Sequence, residues 1–387
     1  MDVAEPVTQA AAEKRALLLA FAVFGLFWGA WASLLPAIKQ QTGLTDGQLG
    51  LALGAVALAA LPMGPVAGRI ADRLGAATVL RLGLMGFGLV AALPAFCTGG
   101  LALTLVLAVF GITTGFLDVV VNAATAAWER IEDDRLMAAG HGLFSAGTLV
   151  GSVSTGFLRS AGFGPRVVLP AVAVAVLVAA ALQPTYRRPP PDATAPGRSR
   201  LGHVLLLIGV LVGFSFLLED ALQSWSALHL ERDLGARPWV SGLGPGVFAV
   251  AMTVGRLGTH VLGKGPREEV VVCSGGLAVA AGALVVAVAP SPVPALLGLF
   301  LAGAGLSVLA PTLFSAVGRR AAAGREGAAL GALSTLGYLG FLIGPPLVGL
   351  LSAATSLPAA LGLLGVLGLA LAVGGPLVLR APARVDA

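Results

Sequence analysis

An acid and an amide stand one helical turn apart inside an apolar stretch that is long enough to cross a membrane. Asp118 and Asn122 share one predicted helix face with Gly111 and Gly115. A charge near the middle of a bilayer costs about 3 kcal/mol or more, so an acid that is kept there predicts a function. A carboxyl group in such a place can exchange a proton and contact a polar solute. The alternative role is a structural hydrogen bond between helices.

A second acid and amide occur with the same spacing in the other half of the sequence. Glu219 and Gln223 lie four residues apart, whereas the side chain of Asp220 points about 100° away from that of Glu219. We therefore predict two polar pairs, one in each half, that border a single cleft for substrate and proton.

Further candidates for substrate or proton binding lie on neighbouring apolar runs. His141 and Ser145 begin a polar stripe, and histidine is suited to proton relay because it changes charge near neutral pH. Four aromatic residues are candidates to stack on a sugar or an aromatic solute. They are Trp28, Trp31, Trp225 and Tyr338. Packing and anchoring at the membrane interface are the alternative roles.

The composition predicts an all-α membrane protein. The 387 residues are 57% hydrophobic and only 11% charged, with a mean hydropathy of +0.92. Apolar runs of about 20 residues, the length of a transmembrane helix, recur along the whole chain. The alternating pattern of a β-barrel is not seen. Reading these runs against charged and Gly/Pro breaks predicts twelve transmembrane helices in two pseudo-symmetric halves of six.

The halves are predicted as residues 1–183 and 202–387, joined by a linker at residues 184–201 that is rich in proline and arginine. With the N-terminus inside the cell, most of the 24 Lys and Arg residues fall in cytoplasmic connections. Both termini and the linker are therefore expected on the cytoplasmic side.

Several classes of function do not fit the sequence. The net charge of +5 is scattered between apolar runs, which argues against nucleic-acid binding. The four histidines have no metal-ligand spacing, and no nucleotide-binding loop or nucleophile–base pair occurs. We expect no enzymatic activity, no metal and no cofactor.

A glycine and arginine motif follows the second apolar run. It contains Gly68, Arg69, Asp72 and Arg73, and it is echoed about half the chain later by Gly255 and Arg256. The pattern resembles the cytoplasmic loop motif of the major facilitator superfamily, and with the spans and the half repeat the resemblance covers nearly the whole chain. The resemblance implies a conformational latch formed by Gly68, Arg69, Asp72, Arg73 and Arg256. The alternative is a basic loop that only sets orientation.

The fourth span also resembles that of sugar permeases related to the bacterial fucose transporter. Asp118 and Asn122 occupy the positions of the proton-coupled pair in those permeases. Those permeases carry a further acid in the first span, where this sequence has Trp28 and Trp31 instead. The stretches at residues 218–230 and 248–257 resemble a poorly characterised bacterial subgroup of these permeases, some of which are associated with cyclitols or sugars.

These features together predict a proton-coupled secondary transporter of the bacterial inner membrane. It would move a small polar organic solute, such as a sugar or cyclitol, by alternating access. The alternative is a proton-antiport exporter of a drug-like compound or metabolite, and a channel or receptor remains a further class. The expected partners are a small-molecule substrate, protons and the lipid bilayer, with no nucleic acid and with the protein as a monomer.

Overall fold

The computed structural model describes residues 4–184, 202–261, 267–321 and 326–381. All regular structure in these ranges is helical, and the predicted linker lies outside them except for Pro184. The helices of the first half are α1 (Ala4–Thr42), α2 (Asp46–Ala60), α3 (Met63–Leu74), α4 (Ala76–Ala91), α5 (Gly100–Glu132), α6 (Met137–Ser160) and α7 (Pro165–Ala181). The helices of the second half are α8 (His203–Leu228), α9 (Pro238–Ser241), α10 (Leu243–Val261), α11 (Glu268–Val288), α12 (Pro292–Arg320), α13 (Glu326–Ala354) and α14 (Leu357–Arg380).

The predicted all-α membrane architecture is confirmed. Ten helical stretches of the described chain are long and apolar enough to cross a membrane, and α2 with α3 forms one of them. The short apolar helix α7 and the 24-residue helix α6 bring the number of crossings to twelve. Helix α6 is less apolar because buried hydroxyl side chains, including those of Ser145, Thr148 and Ser152, lie along it.

The predicted loop after the second span is a helix. The motif of Gly68, Arg69, Asp72 and Arg73 resembles a loop motif, but it lies on α3, which continues to Leu74 and confines the turn to Gly75. Gly75 has φ +81°, a conformation that glycine adopts without strain, and its N–H donates to the carbonyl oxygen of Ala71 at 2.8 Å. Because α4 begins at the next residue, the charged motif lies on a helix.

The seventh span is not broken at its polar residues. The sequence there, with Glu219, Asp220 and Gln223, is compatible with a broken or a tilted helix, and α8 is continuous from His203 to Leu228. Its irregularity lies beyond these residues, where positions 229–233 form a π-helical turn.

The chain forms two compact units. The first comprises Met1–Gly43 and Ala55–Ala193, and the second comprises Leu44–Gly54 and Thr194–Ala387. The beginning of α2 therefore belongs to the second unit. There Gly50 lies so close to α13 that an added Cβ would be 2.6 Å from the carbonyl oxygen of Pro345.

Helices in each unit pack closely through glycine. In the first unit α1 packs against α6, where a Cβ at Gly151 would collide with the backbone carbonyl of Leu26. In the second unit α11 packs against α12, where a Cβ at Gly282 would be 2.5 Å from the carbonyl oxygen of Gly298. Small residues allow this approach, which gives membrane helices dispersion contacts that lipid cannot replace.

Close packing of α1 on α6 predicts a position-specific effect of one added methyl group. Gly151→Ala should lower the unfolding free energy by about 1–3 kcal/mol, because the new Cβ meets backbone that cannot rotate away. Gly142→Ala is the matched control on the same helix, since a Cβ there has no neighbour within 4 Å. It should be neutral or stabilising by at most about 1 kcal/mol. Thermal unfolding in detergent, followed by tryptophan fluorescence, measures both; equal melting temperatures would contradict the packing described.

Candidate functional site

The predicted pair Asp118 and Asn122 is in direct contact in the first unit. Both side chains are half-buried on α5. The Asn122 amide Nδ2 donates to Asp118 Oδ1 at 3.1 Å and to the main-chain oxygen of Asp118 at 2.8 Å. The amide therefore fixes the direction of the carboxylate, which is the group that can bind a proton or a hydroxyl-bearing solute.

Glycines one and two turns before Asp118 set the position of α5. A Cβ at Gly111 would lie 2.8 Å from Val56 Cα, and one at Gly115 would lie 2.8 Å from Ala60 Cα. Helix α5 thus lies directly against the end of α2 within the first unit. The stripe of small and polar residues seen in the sequence serves both to pack α5 and to place the acid.

The corresponding residues of the second unit are arranged differently. Glu219 on α8 forms an ion pair with Arg256 on α10, with 3.9 Å between Oε1 and Nη2. No hydrogen bond joins Glu219 to Gln223 in the part of the chain that the structure describes. The neighbouring Asp220 accepts a hydrogen bond from Ser224 Oγ at 2.9 Å. Arg256, assigned by the sequence to a latch, therefore lies beside an acid of its own unit.

His141 and Ser145 lie on the face of α6 that packs against α1. The His141 ring is half-buried, with its centroid 5.2 Å from that of Phe21. Ser145 is buried, and its hydroxyl donates to the main-chain oxygen of His141 at 3.1 Å. These contacts give both residues packing roles in addition to any role in binding.

The four aromatic candidates divide by exposure. Trp31 is 2% exposed and Trp225 is 1% exposed, so neither presents its ring to a solute in this conformation. Trp31 belongs to an aromatic cluster, with its ring stacked near those of Phe27 and Phe110. Trp28 and Tyr338 are half-buried, which leaves part of each ring accessible.

The motif residues Gly68, Arg69 and Arg73 are exposed on α3, while the side chain of Asp72 lies outside the described set. Gly68 borders a cavity of about 230 Å³ within the first unit, whose lining also includes Glu13 and Trp128.

The edge of this region carries one exposed ion pair. Lys14 Nζ lies 2.7 Å from Asp134 Oδ2 and 5.4 Å from the centre of the Trp128 ring. The hydrogen bond that Lys14 donates holds the pKa of Asp134 below its usual value. The contact ties the beginning of α1 to the connection between α5 and α6.

A third polar cluster, at the end of α8, was not anticipated from the sequence. His229 is 1% exposed, and its Nδ1 lies 3.0 Å from Asp233 Oδ2. Arg232 bridges Asp233 and Asp46, and Asp46 also accepts a hydrogen bond from Ser352. All five residues belong to the second unit. The spacing of His229 and Asp233, four residues apart at the end of an overlong apolar run, was the available sequence signal.

The arrangement of apolar helices with paired ionisable groups inside them is that of a multi-pass membrane transporter. The model of the Major Facilitator Superfamily matches residues 17–344 and 255–386. The chain is 31% identical over 366 residues to an uncharacterized MFS-type transporter of Yersinia pestis, covering 94% of each chain. The chain belongs to the Major Facilitator Superfamily and is a transporter rather than an enzyme.

Solved structures with the same fold include two transporters. The nucleoside transporter NupG has a TM-score of 0.76 at 15% identity, covering 95% of this chain and 99% of that one. A D-xylose-proton symporter has a TM-score of 0.76 at 14% identity, covering 95% of this chain and 97% of that one. At these identities the likeness establishes the fold.

The ion pair between α8 and α10 predicts non-additive stability effects. Arg256→Gln should lower the unfolding free energy by about 1 kcal/mol, because the pair is partly exposed and its loss leaves Glu219 without this cation. Glu219→Gln in the Arg256→Gln background should then recover most of the loss. Arg135→Gln, at an exposed arginine of the first unit, is the control and should have little effect. Thermal unfolding of the double-mutant cycle tests this, and additive single effects would rule out the interaction.

Proposed function

We propose that the protein is a proton-coupled secondary transporter that moves a small polar organic solute across the bacterial inner membrane. The observation that carries this proposal is an acid with a polar partner within the spans of each unit: Asp118 with Asn122, and Glu219 with Arg256. Apolar helices have no structural need for such groups, which are costly in hydrocarbon and are retained where solutes or protons bind.

The chemistry of these side chains favours a solute with several hydroxyl or amide groups. A carboxylate and an amide supply acceptors and donors on α5, and an acid with a guanidinium supplies them in the second unit. Trp28 and Tyr338, each partly accessible, add faces on which an apolar sugar surface or a base can stack. Sugars, cyclitols and nucleosides all present this combination. The nucleoside and xylose transporters with the same fold support this class of solute.

Proton coupling follows from what protonation does to each acid. A proton on Glu219 removes the charge that pairs with Arg256, so the arginine is released toward another acceptor. A proton on Asp118 turns an acceptor-only carboxylate into a hydrogen-bond donor. Either change alters the contacts that a solute meets. We propose that protonation of Asp118 or Glu219 permits the conformational switch that exposes bound solute to the opposite side, with both termini on the cytoplasmic side.

The exposed residues of α3 complete the proposal. Arg69 and Arg73 are exposed, and Gly68 beside them has no side chain. The two arginines are therefore accessible for the contacts that the motif implies, which would form in one conformational state and break in the other. We propose that Arg69 and Arg73 stabilise one of the two end states of transport, while Arg256 forms an ion pair with Glu219 on α8.

The first step of the test is to find a solute. A thermal-shift screen of the purified protein against sugars, cyclitols, nucleosides and cationic drugs should identify a stabilising compound, because ligands that bind the folded state raise its apparent stability. The best compound, in radioactive form, is then used with proteoliposomes.

Asp118→Asn and Glu219→Gln should each reduce accumulation driven by a pH gradient at least about tenfold, which corresponds to about 1.4 kcal/mol. Exchange of labelled for unlabelled solute at equal pH should persist, because it needs no net proton movement. Asp133→Asn is the matched control: this exposed acid has φ +50°, which asparagine also tolerates.

Two results would contradict the proposal. If both variants accumulate solute with the pH dependence of the unmodified protein, the two acids do not couple protons. If protons that flow into the proteoliposome lumen instead drive the compound out of the lumen, the protein is an antiport exporter.

A further inference from the structure

The buried histidine at the end of α8 has acceptors on both of its ring nitrogens. His229 Nδ1 lies 3.0 Å from Asp233 Oδ2, and His229 Nε2 lies 3.0 Å from the main-chain oxygen of Val286 on α11. The ring is 1% exposed, so water does not replace either partner. The pair lies on the π-helical turn at residues 229–233, where His229 is buried in the helix packing and Arg232 and Asp233 reach the surface.

A neutral imidazole beside an ionised Asp233 cannot satisfy this site. It carries one N–H, so only one of the two nitrogens can donate. The other nitrogen would face an oxygen with lone pair against lone pair at 3.0 Å. An imidazolium donates from both nitrogens and satisfies both oxygens. The pair of His229 and Asp233 therefore carries one proton more than a neutral imidazole beside an ionised carboxylate would.

The ion pairs next to His229 form a row in which this proton supplies a second cation. Arg232 Nε donates to Asp233 Oδ1 at 2.8 Å. Arg232 Nη1 donates to both carboxylate oxygens of Asp46 on α2, each at 2.8 Å, and Ser352 on α13 donates to Asp46. An imidazolium makes a row of alternating charge with two cations and two anions. A neutral imidazole leaves two carboxylates to share one guanidinium.

Two further charged groups lie near this end of α8, Glu231 and the exposed Arg237 at the beginning of α9. Glu231 accepts a hydrogen bond from Ser241 Oγ on α9 at 2.8 Å. Among described side chains, α11, α12 and α14 carry their charges at their opposite ends, at Glu268, Glu269, Arg319, Arg320 and Arg380. Asp233, Arg232, Asp46, Glu231 and Arg237 are thus the described charged groups near the imidazole.

We propose that His229 and Asp233 form a proton-binding site whose proton holds the beginning of α2 to the rest of the second unit. With the proton bound, Asp233 is balanced by the imidazolium, and Arg232 is available to grip Asp46. When the proton leaves, Asp233 has only Arg232 as a cationic partner, and the ion pair between Arg232 and Asp46 weakens. Residues 44–54, which belong to the second unit through these and neighbouring contacts, are then released. Proton binding here does not depend on the proposed function; a role in coupling would rest on it.

The first experiment observes the proton directly. The protein is labelled with 15N-histidine, placed in lipid nanodiscs and studied by NMR of the imidazole nitrogens at pH 7. The sequence has only four histidines, and His229→Gln identifies the signal of His229 by its loss. We expect both nitrogens of His229 to be protonated. One protonated and one bare nitrogen at this pH would overturn the proposal.

The second experiment measures how strongly the ion pair between Arg232 and Asp46 protects the beginning of α2 from exchange. Hydrogen–deuterium exchange of residues 46–54 should be at least ten times faster in Asp46→Asn than in the unmodified protein, because a neutral amide cannot replace the ion pair with Arg232. Asp46→Asn leaves the packing of His229 intact, so it remains informative if His229→Gln fails to fold. Ser224→Ala, which removes a hydroxyl elsewhere on α8, is the control.

Raising the pH until the His229 imidazolium signal disappears should produce the same acceleration in the unmodified protein, after correction for the intrinsic pH dependence of exchange. Exchange in α14 should not change. Unchanged protection of residues 46–54 in Asp46→Asn, or after loss of the imidazolium signal, would overturn the proposal. Neither measurement uses a transported solute, so failure of the proposed transport function would leave both results interpretable.

Discussion

The inability of hydrocarbon to form hydrogen bonds is the constraint on which this structure depends. Every backbone group inside the bilayer must be satisfied by the protein, which leaves helices as the architecture for a chain of this composition. Hydroxyl side chains follow the same rule: Thr125 donates to the oxygen of Val121, and Ser215 donates to that of Leu211, each one turn earlier. Glycine-lined contacts such as those of Gly151 then bring helices close enough to pack without a hydrophobic driving force.

Ionisable side chains inside the spans stand out against this background because each of the three clusters has a defined partner. Asp118 is oriented by Asn122, Glu219 lies beside Arg256, and His229 is held between Asp233 and a carbonyl oxygen. Protonation changes what each cluster can donate, accept or attract. A fold that is otherwise apolar thus holds ionisable groups in a few places, which is the physical basis for the coupled transport that we propose.

The sequence predicted those features that depend on neighbours along one helix. The contact of Asp118 with Asn122 follows from a spacing of four residues, and the twelve crossings follow from the lengths of apolar runs. Contacts between helices were not predictable, because periodicity does not give the rotation of one helix against another. The pairing of Glu219 with Arg256, the burial of Trp31 and Trp225, and the place of Asp46 in the second unit are of this kind. His229 was overlooked because one of its two partners, the main-chain oxygen of Val286, lies on another helix, α11.

The central claim is that solute and protons move together. The most direct measurement adds the stabilising solute to proteoliposomes in weakly buffered medium, with no imposed pH gradient, and records the external pH. The account predicts alkalinisation of the medium that depends on the solute, saturates with its concentration and is abolished by a protonophore. Solute entry without any change in external pH would contradict it.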